Sequence, residues 1–201
     1  MPAPPGKSRF DQARLINIAN CLTAMRVLLV PLFVYLILVG REREALVVFA
    51  VCGLTDGLDG ILARRLRQRT LVGAYLDPIA DKLLMATAFV VLAYINVVPL
   101  WLTVLVISRD LFILVGSSLY LILIDATDIR PTTVSKLNTA VQIVTVVFFL
   151  ARAAFPGASR LLPAGVGPAV SPALIGLCAV TTAVSGAQYL YMGIRKLSDG
   201  Q

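Results

Sequence analysis

Histidine is absent from this 201-residue chain, and cysteine nearly so. With no imidazole, histidine base catalysis and His-containing zinc sites are excluded. The three cysteines, Cys21, Cys52 and Cys178, lie far apart in apolar stretches. That spacing excludes paired-cysteine metal knuckles, and small buried hydrophobes are the ordinary reading of such residues. Charge is scarce too: 14% of residues are charged against 58% hydrophobic, with a mean hydropathy of +0.86. That balance lies beyond the near-even apolar content of soluble domains and points to a membrane protein.

The apolar residues fall into runs near Asn20–Val39, Ala45–Leu62, Leu83–Val98, Leu100–Ile124, Val134–Phe155 and Ala169–Met192. Each is about long enough to cross a hydrocarbon core of ~30 Å as a helix. The expected fold is therefore all-α, with six transmembrane helices and a short N-terminal amphipathic helix. Residues 1–18 read as a juxtamembrane segment with Phe10, Leu15 and Ile16 toward lipid, 19–196 as one membrane domain and 197–201 as a tail. Asn96–Pro99 reads as a tight outer turn, and Phe155–Pro172, with four prolines and three glycines, as the long outer connection before the last helix. With both ends inside, eleven loop Lys and Arg residues face the cytoplasm and four (Arg41, Arg43, Arg152, Arg160) face out, as the positive-inside rule requires. The net charge of +7 then reflects topology and attraction to anionic headgroups. Nucleic acid is a poor partner for basic residues spread over loops without interleaved aromatics. The start has no signal-peptide cleavage site and no transit-like presequence, which favours a bacterial inner membrane.

Four of the nine aspartates sit in or beside apolar helices: Asp56 and Asp59, three residues apart, and Asp77 and Asp81, four apart. On helices each pair projects from one face, and the two faces together make a cage of four carboxylates. Ionised carboxylates at that depth cost a few kcal/mol or more each unless paired. Arg64 and Lys82 are too few to balance them. Oxygen-only ligands favour the hard ions Mg²⁺ or Mn²⁺, which partner phosphates in phosphoryl transfer, where a metal pair can clamp the attacking and leaving oxygens. Gly57, Gly60, Ala63 and Gly73 leave room for a nucleotide against the helix backbone, although small residues also serve helix packing. The acids could instead form solvated helix ends paired with Arg64, Arg65 and Arg67. They could also line a cation transporter, which would not need the Ala63-Arg64 and Gly73 spacings, and the small-residue helices could make a purely structural assembly.

The pattern Asp56-x-x-Asp59-Gly60-x-x-Ala63-Arg64, eight residues, Gly73-x-x-x-Asp77-x-x-x-Asp81 resembles the complete signature of the CDP-alcohol phosphatidyltransferases. At roughly 6% per residue type, its eight fixed positions match by chance about once in 10¹⁰ starting points, so the signal is specific. The resemblance runs from Asn17–Arg26 to the last helix. It implies a six-helix fold, usually a homodimer, with a polar cavity at the cytoplasmic interface and two bound metal ions, Mg²⁺ or Mn²⁺. By the same resemblance Asp56, Asp59 and Asp77 bind metal, while Asp81 binds metal and acts as the catalytic base. Asn20, Thr23, Gly60, Ala63, Arg64, Thr70 and Gly73 would then contact CDP-diacylglycerol.

Two relatives differ in the acceptor, which is glycerol 3-phosphate for phosphatidylglycerophosphate synthases and phosphatidylglycerol for cardiolipin synthases. Ile107–Asp110, Arg130–Gln142 and Thr181–Tyr191 look like the cardiolipin synthases. Phosphatidylglycerophosphate synthases usually carry a second lysine where this chain has Asn138, and another arginine beyond the one matching Arg109. A dianionic phosphate wants several cations and a phosphodiester carries one charge, so fewer basic residues suit the lipid acceptor. Arg109, Lys136 and Asn138 are the expected acceptor-binding residues. Arg109 and Lys136 could instead pair with Asp110, Asp125 or Asp128 and tie helices together.

Overall fold

The computed structural model describes the backbone of residues 18–66, 71–124, 132–157 and 166–198, and the side chains of 25–55, 82–116, 132–157 and 169–193. Among the described residues there are six helices and no strand: α1 (Ile18–Leu38), α2 (Glu42–Leu66), α3 (Leu71–Tyr94), α4 (Leu100–Ile124), α5 (Thr133–Ala154) and α6 (Val166–Ser198). The all-α expectation is met, and each apolar run becomes one helix. Residues 1–17 of the amphipathic segment lie outside the described residues.

The helix ends follow local chemistry. Gly40 closes α1 at φ 73, where the Gly40 N–H donates to Ile37 O and the Arg41 N–H to Leu36 O, satisfying carbonyls of the last turn. The tight turn at Asn96–Pro99 is present, with Asn96 at φ 59 and the Val97 N–H donating to Leu92 O. Thr132 caps α5 by accepting from the Ser135 N–H at 3.1 Å. The connection expected over Phe155–Pro172 is shorter, because α5 ends at Ala154 and α6 begins at Val166. Pro168 lies in the first turn of α6, where a missing N–H breaks no helical bond, and Pro172 is carried inside the helix.

Packing places α1 against both α2 and α3, α5 against α2, α3 and α6, and α4 against α3 and α6. The core gathers Phe33, Phe49, Phe89, Leu92, Leu102, Phe149 and Leu150, with the Phe33 and Phe49 rings tilted at 5.9 Å. Large apolar side chains also point outward, among them Leu28, Tyr35, Leu54, Leu137 and Val180. Apolar on both faces is how a helix reads when its solvent is hydrocarbon. Among the described residues Thr133–Ala154 and Ala169–Gly193 are long and apolar enough to cross a membrane, and Met25–Leu38 and Lys82–Tyr94 are shorter apolar helices. At the end of the bundle away from the α2–α3 connection, Arg43 Nε donates to Ala154 O at 3.1 Å and its guanidinium lies 5.3 Å from the Phe155 ring centroid. This pins the start of α2 to the end of α5.

Candidate functional site

The acids expected to bind metal fall on two helices that share a packing partner. Asp56 and Asp59 lie in the second half of α2 with Gly60, Ala63 and Arg64; Asp77 and Asp81 lie in the first half of α3 with Gly73. Asn20 and Thr23 are on α1, which packs against both acid-bearing helices. Thr70 and the side chains of all these residues lie outside the described residues. The expected donors are four carboxylates on two α1-packed helices, an oxygen-only chemistry that would fit a hard divalent ion.

Immediately after Asp81 the side chains are described, and they form a polar layer across four helices. Lys82 Nζ lies 2.7 Å from Asp110 Oδ1, joining α3 to α4. Arg109 Nη1 reaches the same oxygen at 2.7 Å, while its Nη2 donates to Ser135 Oγ on α5 at 2.7 Å and to Ser185 Oγ on α6 at 2.5 Å. Arg109 is 5% exposed, so a charge that would be costly alone is matched by one carboxylate and two hydroxyls. Two cations share one carboxylate, leaving the layer with one net positive charge.

Helix rise shows what this layer closes off. Arg109 precedes the end of α4 by fifteen residues, and Ser185 precedes the end of α6 by thirteen, whereas Ser135 follows the start of α5 by only two. At 1.5 Å per residue, α4 and α6 continue about 20 Å beyond the layer, while α5 stops within ~3 Å of it. The N-terminus of α5 is thus set back among longer helices, and the positive end of its helix dipole adds positive potential to the layer.

On either side of that level, α5 and α6 meet through polar residues. On the inner side Thr182 Oγ1 donates to Asn138 Oδ1 at 2.9 Å, both residues fully buried, and toward the start of α5 Thr132 Oγ1 donates to Gln188 Oε1 at 3.3 Å. Asn138 Nδ2, Gln142 Nε2 and Arg109 Nε have no partner among the described residues. A buried donor left unmet costs about 1–3 kcal/mol, so the seam has capacity for another acceptor.

Of the residues expected to meet the acceptor, Arg109 on α4 and Asn138 on α5 are buried, the Arg109 partners Ser135 and Ser185 lying within a turn of Asn138 on α5 and of Thr182 on α6, and Lys136 is exposed near the start of α5. The Arg109–Asp110 pair weighed as an alternative is formed, and Asp125 and Asp128 lie outside the described residues. Sequence reasoning missed Ser135, Ser185, Thr182 and Gln142. Their signal was polar residues at positions 135, 138, 142 and 145 of α5 and 182 and 185 of α6, a helical period within apolar helices.

Comparison with known proteins adds an independent line. The family model for CDP-alcohol phosphatidyltransferase matches residues 16–185. The chain is 34% identical over 193 residues to the human cardiolipin synthase (CMP-forming), covering 88% of this chain and 62% of that protein. It is 32% identical over 194 residues to a probable phosphatidylglycerophosphate synthase of Mycobacterium tuberculosis, covering 92% of this chain and 86% of the relative. A CDP-diacylglycerol–glycerol-3-phosphate 3-phosphatidyltransferase of Pseudomonas fluorescens is 44% identical over 104 residues, which is 49% of this chain and 53% of that protein. The chain thus spans about three fifths of the human relative's length.

Proposed function

The chain belongs to the CDP-alcohol phosphatidyltransferase family, and from that premise we propose that it transfers the phosphatidyl group of CDP-diacylglycerol to phosphatidylglycerol, giving cardiolipin and CMP. The family is generally dependent on divalent metal. Here Asp56, Asp59, Asp77 and Asp81 would hold two Mg²⁺ or Mn²⁺ ions, which supply charge neutralisation on the diphosphate when bound. Asp81 accepts the proton of the acceptor hydroxyl as its oxygen bonds to the phosphatidyl phosphorus and the bond to CMP breaks. Asn20, Thr23, Gly60, Ala63, Arg64, Thr70 and Gly73 bind the donor. The six helices cross the membrane, with the site on the cytoplasmic face, and the protein works as a homodimer.

The observation that carries the acceptor reading is the polar layer beginning at Lys82, the residue next to Asp81. Its one net positive charge suits the single charge of a phosphodiester. Lys136 and the recessed start of α5 draw the anion in, and Arg109 Nε and Asn138 Nδ2 are donors still open to it. Where a dianionic phosphate would want a further cation, Asn138 is a buried neutral amide bound to Thr182.

Glycerol 3-phosphate is the second reading, favoured by the extensive match to the mycobacterial relative named for phosphatidylglycerophosphate synthesis. The test supplies purified protein with labelled CDP-diacylglycerol and Mg²⁺ or Mn²⁺, and offers phosphatidylglycerol or glycerol 3-phosphate as acceptor. Cardiolipin with CMP supports the lipid acceptor; phosphatidylglycerophosphate rejects it and keeps the reaction class; no CMP release from either rejects the enzyme reading.

A further inference from the structure

A cleft of about 310 Å³ runs between α4 and α6 on the side of the bundle where Phe112 is 77% exposed and Leu190 67% exposed. It extends from Leu105 and Thr182 to Ile113 and Leu190, eight residues along each helix and therefore ~12 Å. The floor is small on the α6 side, formed by Ala183, Gly186 and Ala187, and Arg109 contributes the wall on the α4 side. A Cβ added at Gly186 would make ordinary van der Waals contact with Arg109 Cγ at 3.6 Å, so the arginine stem runs close along α6 there. Arg109 is 95% buried and its Nε lacks a partner among the described residues. The cleft is therefore an apolar trough with a buried cation in its wall.

Its dimensions bear on its occupant. Spread over ~12 Å, the volume gives a cross-section of roughly 26 Å², a narrow trough running along the two helices. An extended hydrocarbon chain follows such a trough. The α6 part of the cleft belongs to Ala169–Gly193, one of the two helices long and apolar enough to cross a membrane, so the trough opens where acyl chains are the solvent. Arg109 lies midway along the trough, so a chain lying here carries its headgroup phosphodiester to within ~6 Å of the layer's level, where the cation favours an anionic lipid.

We propose that the α4–α6 cleft seats an acyl chain of the acceptor phospholipid, an anionic phosphodiester lipid, and so aligns its headgroup with the layer next to Asp81. This rests on the lipid acceptor proposed above. Moving a chain from bilayer to protein gains little hydrophobic free energy, because both surroundings are apolar. What the cleft supplies is orientation, so its loss weakens use of long-chain acceptor and spares the chemistry.

The test uses the full chain in detergent micelles. Phosphatidylglycerol bearing a photoactivatable group in one acyl chain is crosslinked to the unmodified protein, and the labelled peptides are mapped. Label within residues 105–113 or 182–190, competed by dioleoyl-phosphatidylglycerol and not by CDP-diacylglycerol, is the expected result. Ala187→Phe fills the cleft from an exposed position. It should raise KM for dioleoyl-phosphatidylglycerol about tenfold, the scale of one lost orienting contact, and leave kcat and the KM values of dihexanoyl-phosphatidylglycerol and CDP-diacylglycerol unchanged. Label elsewhere, label removed by the donor lipid, or equal KM changes for both acceptor chain lengths overturns the proposal. Failure of the acceptor reading itself shows separately, as turnover of glycerol 3-phosphate in place of phosphatidylglycerol by the unmodified protein. The chain then has no acceptor to belong to, and the proposal falls with it.

Discussion

Replacing Asp110 by asparagine keeps the shape of the side chain and removes the negative charge that Lys82 and Arg109 share at 2.7 Å each. A hydrogen bond to a charged group contributes about 1.5–3 kcal/mol and a neutral one about 0.5–1.5, so each of the two contacts loses roughly 1–1.5 kcal/mol. Lys82, 34% exposed at its side chain, recovers part of its loss through water; Arg109, 4% exposed at its side chain, recovers little and keeps Ser135 and Ser185. The expected net cost is about 2 kcal/mol. For a chain of this size that is a fall in thermal midpoint of roughly 4–8 °C, measured in detergent at fixed protein and lipid concentration. The layer's net charge rises from one to two, so KM for an anionic acceptor falls in the same variant. A midpoint within about 1 °C of the unmodified protein, or an acceptor KM that rises, would refute the view of Asp110 as the shared neutralising partner of Lys82 and the buried Arg109.

Asp81→Asn is expected to abolish turnover while CDP-diacylglycerol binding is largely retained, and Asp56→Asn to weaken metal-dependent binding as well; equilibrium binding of labelled donor with and without Mn²⁺ separates the two, and near-normal turnover in either variant removes its assigned role. Thr182→Val takes away the donor to Asn138 Oδ1 at a fully buried position, and a loss of about 1–3 kcal/mol should appear as a lowered midpoint. Adding Asn138→Leu to it should recover part of that loss, and a strictly additive double variant would contradict the pairing. Phe33→Ala empties a side-chain volume with no exposure, between α1 and the Phe49 ring, and should destabilise by about 3–5 kcal/mol; a loss under 1 kcal/mol would show that the α1–α2 contact collapses around the gap.

Helix number and approximate extent were legible because a bilayer-length apolar run has few other ways to satisfy its backbone than a helix. The start of α6 was misplaced because prolines were weighed as loop formers, although Pro168 sits where the first turn tolerates one. Asp56, Asp59, Asp77 and Asp81 stand out in the sequence by their spacing, and the structure puts them on α2 and α3 with their side chains outside the described residues.

The surroundings of Arg109 were not legible to the same degree. Sequence left it between an acceptor phosphate and Asp110, and its bonds to Ser135 and Ser185 bridge 26 and 76 residues. The recessed start of α5, the common packing of α2 and α3 on α1 and the α4–α6 cleft belong with it. What the sequence determined by itself is whatever depends on neighbours within a turn or two: the all-helical character, the tight turn at Asn96–Pro99 and the spacing of the acids. Only the tertiary structure decided which polar side chains meet and how far each helix extends past them, because helical period orients a residue within its own helix and leaves open which helix it faces.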